Sequence, residues 1–236
     1  MNPIINIGTQ AVREAAKVFI RSMEHLEAVD IKTEDRRLFT AELKRLAAEE
    51  ITAVIQKAHP AHKITSEDAT HLGTSGEACW LVDALDGEIN FAHGLPHCAI
   101  SLALKLQNKI TTALVYDFLR DELFIASQGQ GARLNDRRLR VSQTKKLNES
   151  LLGLTEVNSE LAQKCQGLRQ SGSVALDLAY VAAARLDGFY QSHPNSLITA
   201  AGILLVTEAG GMINTDKNRL LLSNPKIHQE FLGLAV

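Results

Sequence analysis

No apolar run in this sequence approaches the ~20 residues that a helix needs to cross a bilayer. The three cysteines, Cys79, Cys98 and Cys165, are odd in number and lack a Cys-x-x-Cys pair. That argues against a disulfide framework or a thiolate metal site, and for reduced, buried thiols. Neither sign of charge dominates, since 25 Lys and Arg stand against 27 Asp and Glu for a formal net charge of −2. Without a broad basic field, the chain is not expected to condense on nucleic acid or on an acidic membrane. The first twenty residues, MNPIINIGTQAVREAAKVFI, break their apolar pattern with Arg13 and Glu14, which a signal peptide does not do. The cytoplasm is the expected address. Internal repeats and low-complexity tracts are missing too.

What is present is enough apolar material for a substantial core: 45% of 236 residues, which suits one large domain or two small ones sharing a core. Ile5, Val12, Ala15, Ala16, Phe19, Ile20 and Met23 recur at helical spacing and predict a helix from Ile4 to about Ala28. Residues Asp30–Arg37 (DIKTEDRR) read as a charged break. A second helix is expected over about 41–59, with Leu43, Leu46, Ala47, Ile51, Val54 and Ile55 on one side and Pro60 ending it.

From Cys79 the texture changes. WLVDAL, CAISLALKL, ITTALVYD and ELFIAS are short apolar runs between turn residues and read as strands. GQGARLNDRRLRVS adds a strand pair with a turn at Asn135-Asp136. Residues 143–170 are polar and weakly patterned, which places a subdomain boundary near their start: an α+β half over 1–142 and an α/β half over 143–236. In the second half GSVALDLAYVAAARLDG predicts a helix opened by Gly172-Ser173 and closed by Asp187-Gly188. Another is expected from about Leu197 to Ala209, ending at Gly210-Gly211.

The most informative stretch is WLVDALDGEINF, residues 80–91. An apolar strand ends there in Asp83, Asp86 and Glu88, with Gly87 between the last two. A turn explains Asp-Gly; it does not explain three acids at the end of an apolar run. Clustered carboxylates of that kind suit a hard divalent cation. Taken alone, Asp83 and Asp86 are as well explained by an Asx-turn, and Glu67-Asp68 by a solvated acidic pair. Near the same loop, His93 and His97 read as structural or surface residues, because hard cations prefer oxygen. Gly129-Gln130-Gly131 lacks the helix context of a phosphate loop and reads as a turn.

Four ordered stretches carry a resemblance to the inositol monophosphatase family of magnesium-dependent, lithium-sensitive phosphatases. ITSEDA (64–69) resembles its Glu-Glu motif. WLVDALDGEINF resembles Trp-x-x-Asp-Pro-(Ile/Leu)-Asp-Gly-Thr-Thr-Asn-Phe. GSVALDLAYVAAARLDGFYQ (172–191) resembles the helix behind the substrate pocket, and AAGILLVTEAGG (200–211) the segment after the family's Trp-Asp motif. The resemblance implies a mixed α/β fold, the layered αβαβα sandwich of the inositol monophosphatase and fructose-1,6-bisphosphatase type. It also implies a homodimer, Mg2+ or Mn2+ as cofactor, and a small phosphorylated sugar alcohol as substrate.

Transferred residue by residue, Glu67 would bind metal and orient the attacking water. Asp83, the Leu85 carbonyl and Asp86 would complete the metal set. Gly87 would offer an N–H to phosphate, and Ser173 and Val174 would border the substrate.

The departures sit at the same places. Glu88 replaces the threonine that helps hold the nucleophilic water, which makes it the second candidate catalytic residue. Ile198 falls where the family has its third metal-binding aspartate, and Gln191 where a glutamate contacts substrate hydroxyls. In an ungapped alignment a family lysine falls at Glu34 and a family aspartate at Lys44. Two readings follow. One is a phosphomonoesterase of inositol monophosphate or a similar ester, with weakened activity; losing a ligand and a water-positioning group commonly costs on the order of 10²–10³ in rate each. The other is a catalytically silent member that binds a protein partner or senses a phosphorylated ligand.

Overall fold

The first apolar stripe does form a helix, α1 (Pro3–Ala28), which buries Ile5, Val12, Ala15, Ala16 and Phe19. Ile20, expected on that stripe, is 48% exposed instead. The structure is a computed structural model and describes residues 3–28, 33–66, 78–156, 158–216 and 218–234. The second helix, α2 (Thr33–Ala58), begins eight residues before the expected start near 41 and absorbs part of the charged segment. Asp35, in the first turn, suits a helix N-terminus, where free N–H groups favour negative charge. The rest of that segment, residues 30–32, lies outside the described residues.

The strands β1 (Lys63–Ser66), β2 (Ala78–Asp86), β3 (Ala99–Leu106), β4 (Lys109–Asp117), β5 (Glu122–Ser127), β6 (Gly131–Leu134) and β7 (Arg137–Arg138) form a seven-stranded sheet in sequence order. Only β1 and β2 pair in parallel; the other neighbours are antiparallel. Gln107 and Asn108 turn β3 into β4 with φ of 47° and 67°, the left-handed pair that a tight hairpin requires. Alternation sorts the faces. Trp80, Val82, Ile100, Leu102, Leu104 and Leu114 pack under α1 and α2. Ala99, Ala103, Ala113, Val115 and Ala126 face the other way. That second face is rich in alanine, so helices can approach it closely.

Those helices are α5 (Val174–Ala182) and α6 (Ser196–Glu208), which cross so tightly that a Cβ on Gly202 would stand 2.4 Å from Leu178. Their other side covers a second sheet. Its order is β11 (Met212–Thr215), β12 (Arg219–Ser223), β10 (Gly188–Ser192), β8 (Leu151–Leu154), β9 (Gly167–Arg169). The outer layer comprises α4 (Ser159–Lys164) and α7 (His228–Leu234), where Leu147, Leu152, Leu161, Leu221, Ile227 and Phe231 form a third apolar cluster. The layers therefore run α, β, α, β, α, as the fold expectation requires.

Two local expectations need correction. The α5 helix stops at Ala182 rather than at Asp187-Gly188, and Ala184 takes a left-handed φ of 59°. Asp187 instead ties the chain to β8, its carboxylate accepting the Leu151 N–H at 2.7 Å. The weakly patterned segment 143–170 contains β8, α4 and β9, elements too short to impose a periodicity on the sequence. Among the described helices, none is long and apolar enough to cross a membrane.

Candidate active site at the bulged end of β2

Side chains alternate along a strand, so residues three apart, such as Asp83 and Asp86, should point to opposite faces. The structure avoids that with a register shift: Asp83 lies opposite Ser101 and Asp86 opposite Ala99. Three steps on β2 match two on β3, and the extra residue of this bulge brings both acids to one side. Gly87 then turns the chain with φ 85° and ψ 36°. A Cβ there would sit 2.8 Å from the His97 carbonyl oxygen, so the turn requires glycine. The short helix α3 (Glu88–Ala92) follows. Its Asn90 amide donates to the carbonyls of His97 and Ser171, both at 2.8 Å, and fastens this loop to the one preceding α5.

Asp83, Leu85, Asp86, Gly87, Glu88 and Ile198 all line one cavity of about 450 Å3, with Arg37, Lys44, Ile89, Asn90 and Gly172 completing its wall. Gln191 is elsewhere, on β10, with a buried Oε1 that has no hydrogen-bond partner. Glu67 lies outside the described residues.

The two aspartates are held differently. Asp86 is buried at the N-terminus of α5, where its Oδ2 accepts the Ser173 hydroxyl at 2.5 Å and the Ala175 N–H at 2.8 Å. Burial raises its pKa, opposed by Ser173, by the N–H groups of Ala175 and Val174, and by the charge of Lys44. The Ser173 N–H in turn donates to the Ser171 hydroxyl at 3.1 Å. Thus the groups expected to border substrate at Ser173 and Val174 are engaged inside the protein. Asp83, only 3% exposed, accepts the Leu85 N–H at 3.3 Å and faces the Lys44 ammonium at 3.7 Å. The same ammonium donates to Glu88 at 2.5 Å.

One residue that matters here, Asp177, escaped the sequence reading, and so did the contact made by Lys44. Asp177, on the first turn of α5, is buried, and burial pushes its carboxyl up to about 7, with the neighbouring Asp86 charge adding to the rise and a Ser171 hydrogen bond opposing it. An acid inside the apolar run VALDLAYVAAA was the available signal. The Lys44 contact had a weaker one: a lysine on the same helix face as Ala47, Ala48 and Ile51. Of the histidines, His93 is exposed, while the half-buried His97 ring stacks edge-on against Tyr180.

Hard divalent cations need about six oxygen ligands, with carboxylates that are free to turn towards them. Here one oxygen of Asp86 is already bound by two donors, the Asp83 carboxylate faces an ammonium, and Ile198 offers no oxygen. No group of three or more His, Cys, Asp or Glu side chains placed to hold a metal occurs among the described residues. The donors among the described residues do not fit a two-cation centre.

The bulged acidic loop, the layered sandwich and the sequence together define a class: residues 1–230 match the inositol monophosphatase family, and the chain belongs to it. It is 36% identical to a protein named Nus factor SuhB from Pseudomonas aeruginosa, over 98% of this chain and 95% of that one. The crystal structure of the extragenic suppressor protein SuhB from Bartonella henselae superposes with a TM-score of 0.89 at 32% identity, covering 100% of this chain and 99% of the other. Inositol monophosphatase from Anabaena superposes with a TM-score of 0.84 at 29% identity, covering 96% and 92%.

Proposed function

We propose that this chain is a Nus-factor-type member of the inositol monophosphatase family, acting through contacts with protein partners of the transcription machinery, with little or no phosphatase turnover. One observation carries the reading: the acids at the end of β2 have their partners supplied by the chain itself, and the wall beside them includes Ile198. The names of its relatives supply the partner class. Apolar surface is available for such contacts, since Leu38, Ile89 and Leu95, on α2 and around α3, are 67%, 69% and 52% exposed.

A phosphatase reading keeps one observation in its favour. Asp83, the Leu85 position, Asp86 and Gly87 share a single cavity large enough for a small sugar phosphate. If that reading holds, the Gly87 turn would receive the phosphate and the substrate would be an inositol monophosphate or similar ester.

Two assays with purified protein separate the readings. Phosphate release from inositol 1-phosphate at saturating Mg2+ is expected to stay at the no-protein background. Sedimentation with the host's reconstituted transcription elongation complex is expected to bring the chain down with it. Turnover that Asp86→Asn abolishes, without co-sedimentation, would reverse the assignment.

A further inference from the structure

Lys44 occupies an unusual position for a lysine. It lies on the core-facing stripe of α2, in register with Ala47, Ala48 and Ile51, and is 6% exposed. Lysines are almost never buried to that degree unless they are paired. Among the described residues its partners come from two other elements: Asp83 on the bulged end of β2 and Glu88 on the first turn of α3. We infer that the Lys44 ammonium is a resident monovalent replacement for a divalent cation: it fills the space between Asp83 and Glu88 and makes the centre insensitive to Mg2+ and Mn2+. This rests on the reading of the centre given above, and extends it by naming the residue that closes the site.

Space, electrostatics and the charge of the wall all favour this role for Lys44. The nitrogen stands 3.7 Å from an Asp83 oxygen and 2.5 Å from a Glu88 oxygen. A Mg2+ coordinated by both carboxylates at about 2.1 Å would need that same volume. At an effective dielectric constant of 20, a divalent ion about 4 Å from an ammonium is repelled enough to weaken binding on the order of 10⁵–10⁶-fold. Because the lysine stem is held in the helix face, the ammonium cannot retreat far.

Lys44, Glu88 and Ile198 all line this cavity, and the sequence resemblance marks them as departures: lysine for aspartate, glutamate for threonine and isoleucine for aspartate. The first adds two positive charges, the second removes one and the third adds one. The net gain of two equals the charge of one magnesium ion. The substitutions keep the pocket near neutrality with no ion added. Arg37 on the same wall disfavours a further cation.

The test uses the full-length chain and thermal unfolding, with isothermal titration of MnCl2 and MgCl2 as the binding readout. Wild type is expected to show no metal uptake and no change in Tm at millimolar Mn2+. Lys44→Met leaves buried Asp83 without its ammonium, so its Tm should fall on the order of 10 °C without metal. Mn2+ at about a hundredfold its Kd should restore about 5–10 °C. Lys44→Arg, which keeps the charge, should remain without a metal response. If Lys44→Met does not fold, Glu88→Gln serves in its place. That variant removes only the half-exposed partner, and the retained ammonium should keep the centre blind to Mn2+.

Metal uptake by wild type would overturn the inference, as would a Lys44→Met protein that keeps its Tm and gains no Mn2+ response, or a Glu88→Gln protein that binds Mn2+. These outcomes differ from failure of the function reading. Wild-type turnover of inositol 1-phosphate would defeat that reading, whereas Mn2+ uptake without turnover would defeat only the role given to Lys44.

Discussion

The two aspartates of the β2 bulge sit three residues apart in one cavity wall, yet they are satisfied by different physics. Asp83 meets a full positive charge carried in from α2. Asp86 is hydrogen-bonded by dipoles, the Ser173 hydroxyl and the first N–H groups of α5, and feels the Lys44 charge only as a smaller, more distant influence. A helix N-terminus amounts to roughly half a charge spread over several donors, so it holds a carboxylate without neutralising it, and burial still raises the pKa of Asp86. An ammonium neutralises its partner outright. The α5 side presents a helix N-terminus to its acid, and the α2 side presents a cation where the resemblance implies a carboxylate.

Substitutions should affect the two sides unequally. The largest effect is expected from the α2 side, where Lys44→Met strands a buried acid and should destabilise by about 3–5 kcal/mol in urea unfolding. Gly87→Ala, at the turn that presents both sides, forces a Cβ to 2.8 Å from the His97 carbonyl in a left-handed conformation. It should cost about 2–3 kcal/mol by the same measurement. On the α5 side, Ser173→Ala removes a helix cap and one of the donors to Asp86, for about 1–2 kcal/mol. A loss from Ser173→Ala that exceeded the loss from Lys44→Met would invert the comparison.

A pH signature of a different kind should belong only to the α5 side. Asp177 ionises near 7 in the folded protein, above the usual carboxylate value of 3.8. The folded state therefore holds a proton that the unfolded state has lost. The stability linked to this group is fully present below about 3.8 and is lost as pH rises through about 7. The isosteric Asp177→Asn removes that linkage. Its Tm relative to wild type should climb between pH 4 and pH 8, and a flat difference would show that Asp177 is charged in the fold.

Much of the layered fold was legible because its strongest elements are periodic. The stripe from Ile5 to Phe19 and the four strand runs between Cys79 and Ser127 impose their own signal. What escaped is short or lacks amphipathic contrast. The strands β1, β8, β9, β11 and β12 have three to five residues each, and α4 has six. Such elements are defined by what they pack against. The start of α2 was misread because a highly charged segment looks like a loop even where charged residues make good helix formers.

At the site, clustering made Asp83, Asp86 and Glu88 visible from the sequence alone. The bulge that turns both aspartates to one side was not visible, since register is a property of two strands. Nor was the Lys44 contact, which spans 44 residues to Glu88 and exists only because α2 packs over β2 and α3. Resemblance could flag position 44 as a departure; only the assembled layers show which acids it meets.

The central claim is that this centre is closed by the chain's own charges. It is tested most directly by phosphate release from inositol 1-phosphate at saturating Mg2+, comparing wild type with the triple variant Lys44→Asp, Glu88→Thr, Ile198→Asp. The account expects background turnover from wild type and measurable, Mg2+-dependent turnover from the variant. Robust Mg2+-dependent turnover by wild type, lost in the triple variant, would contradict it.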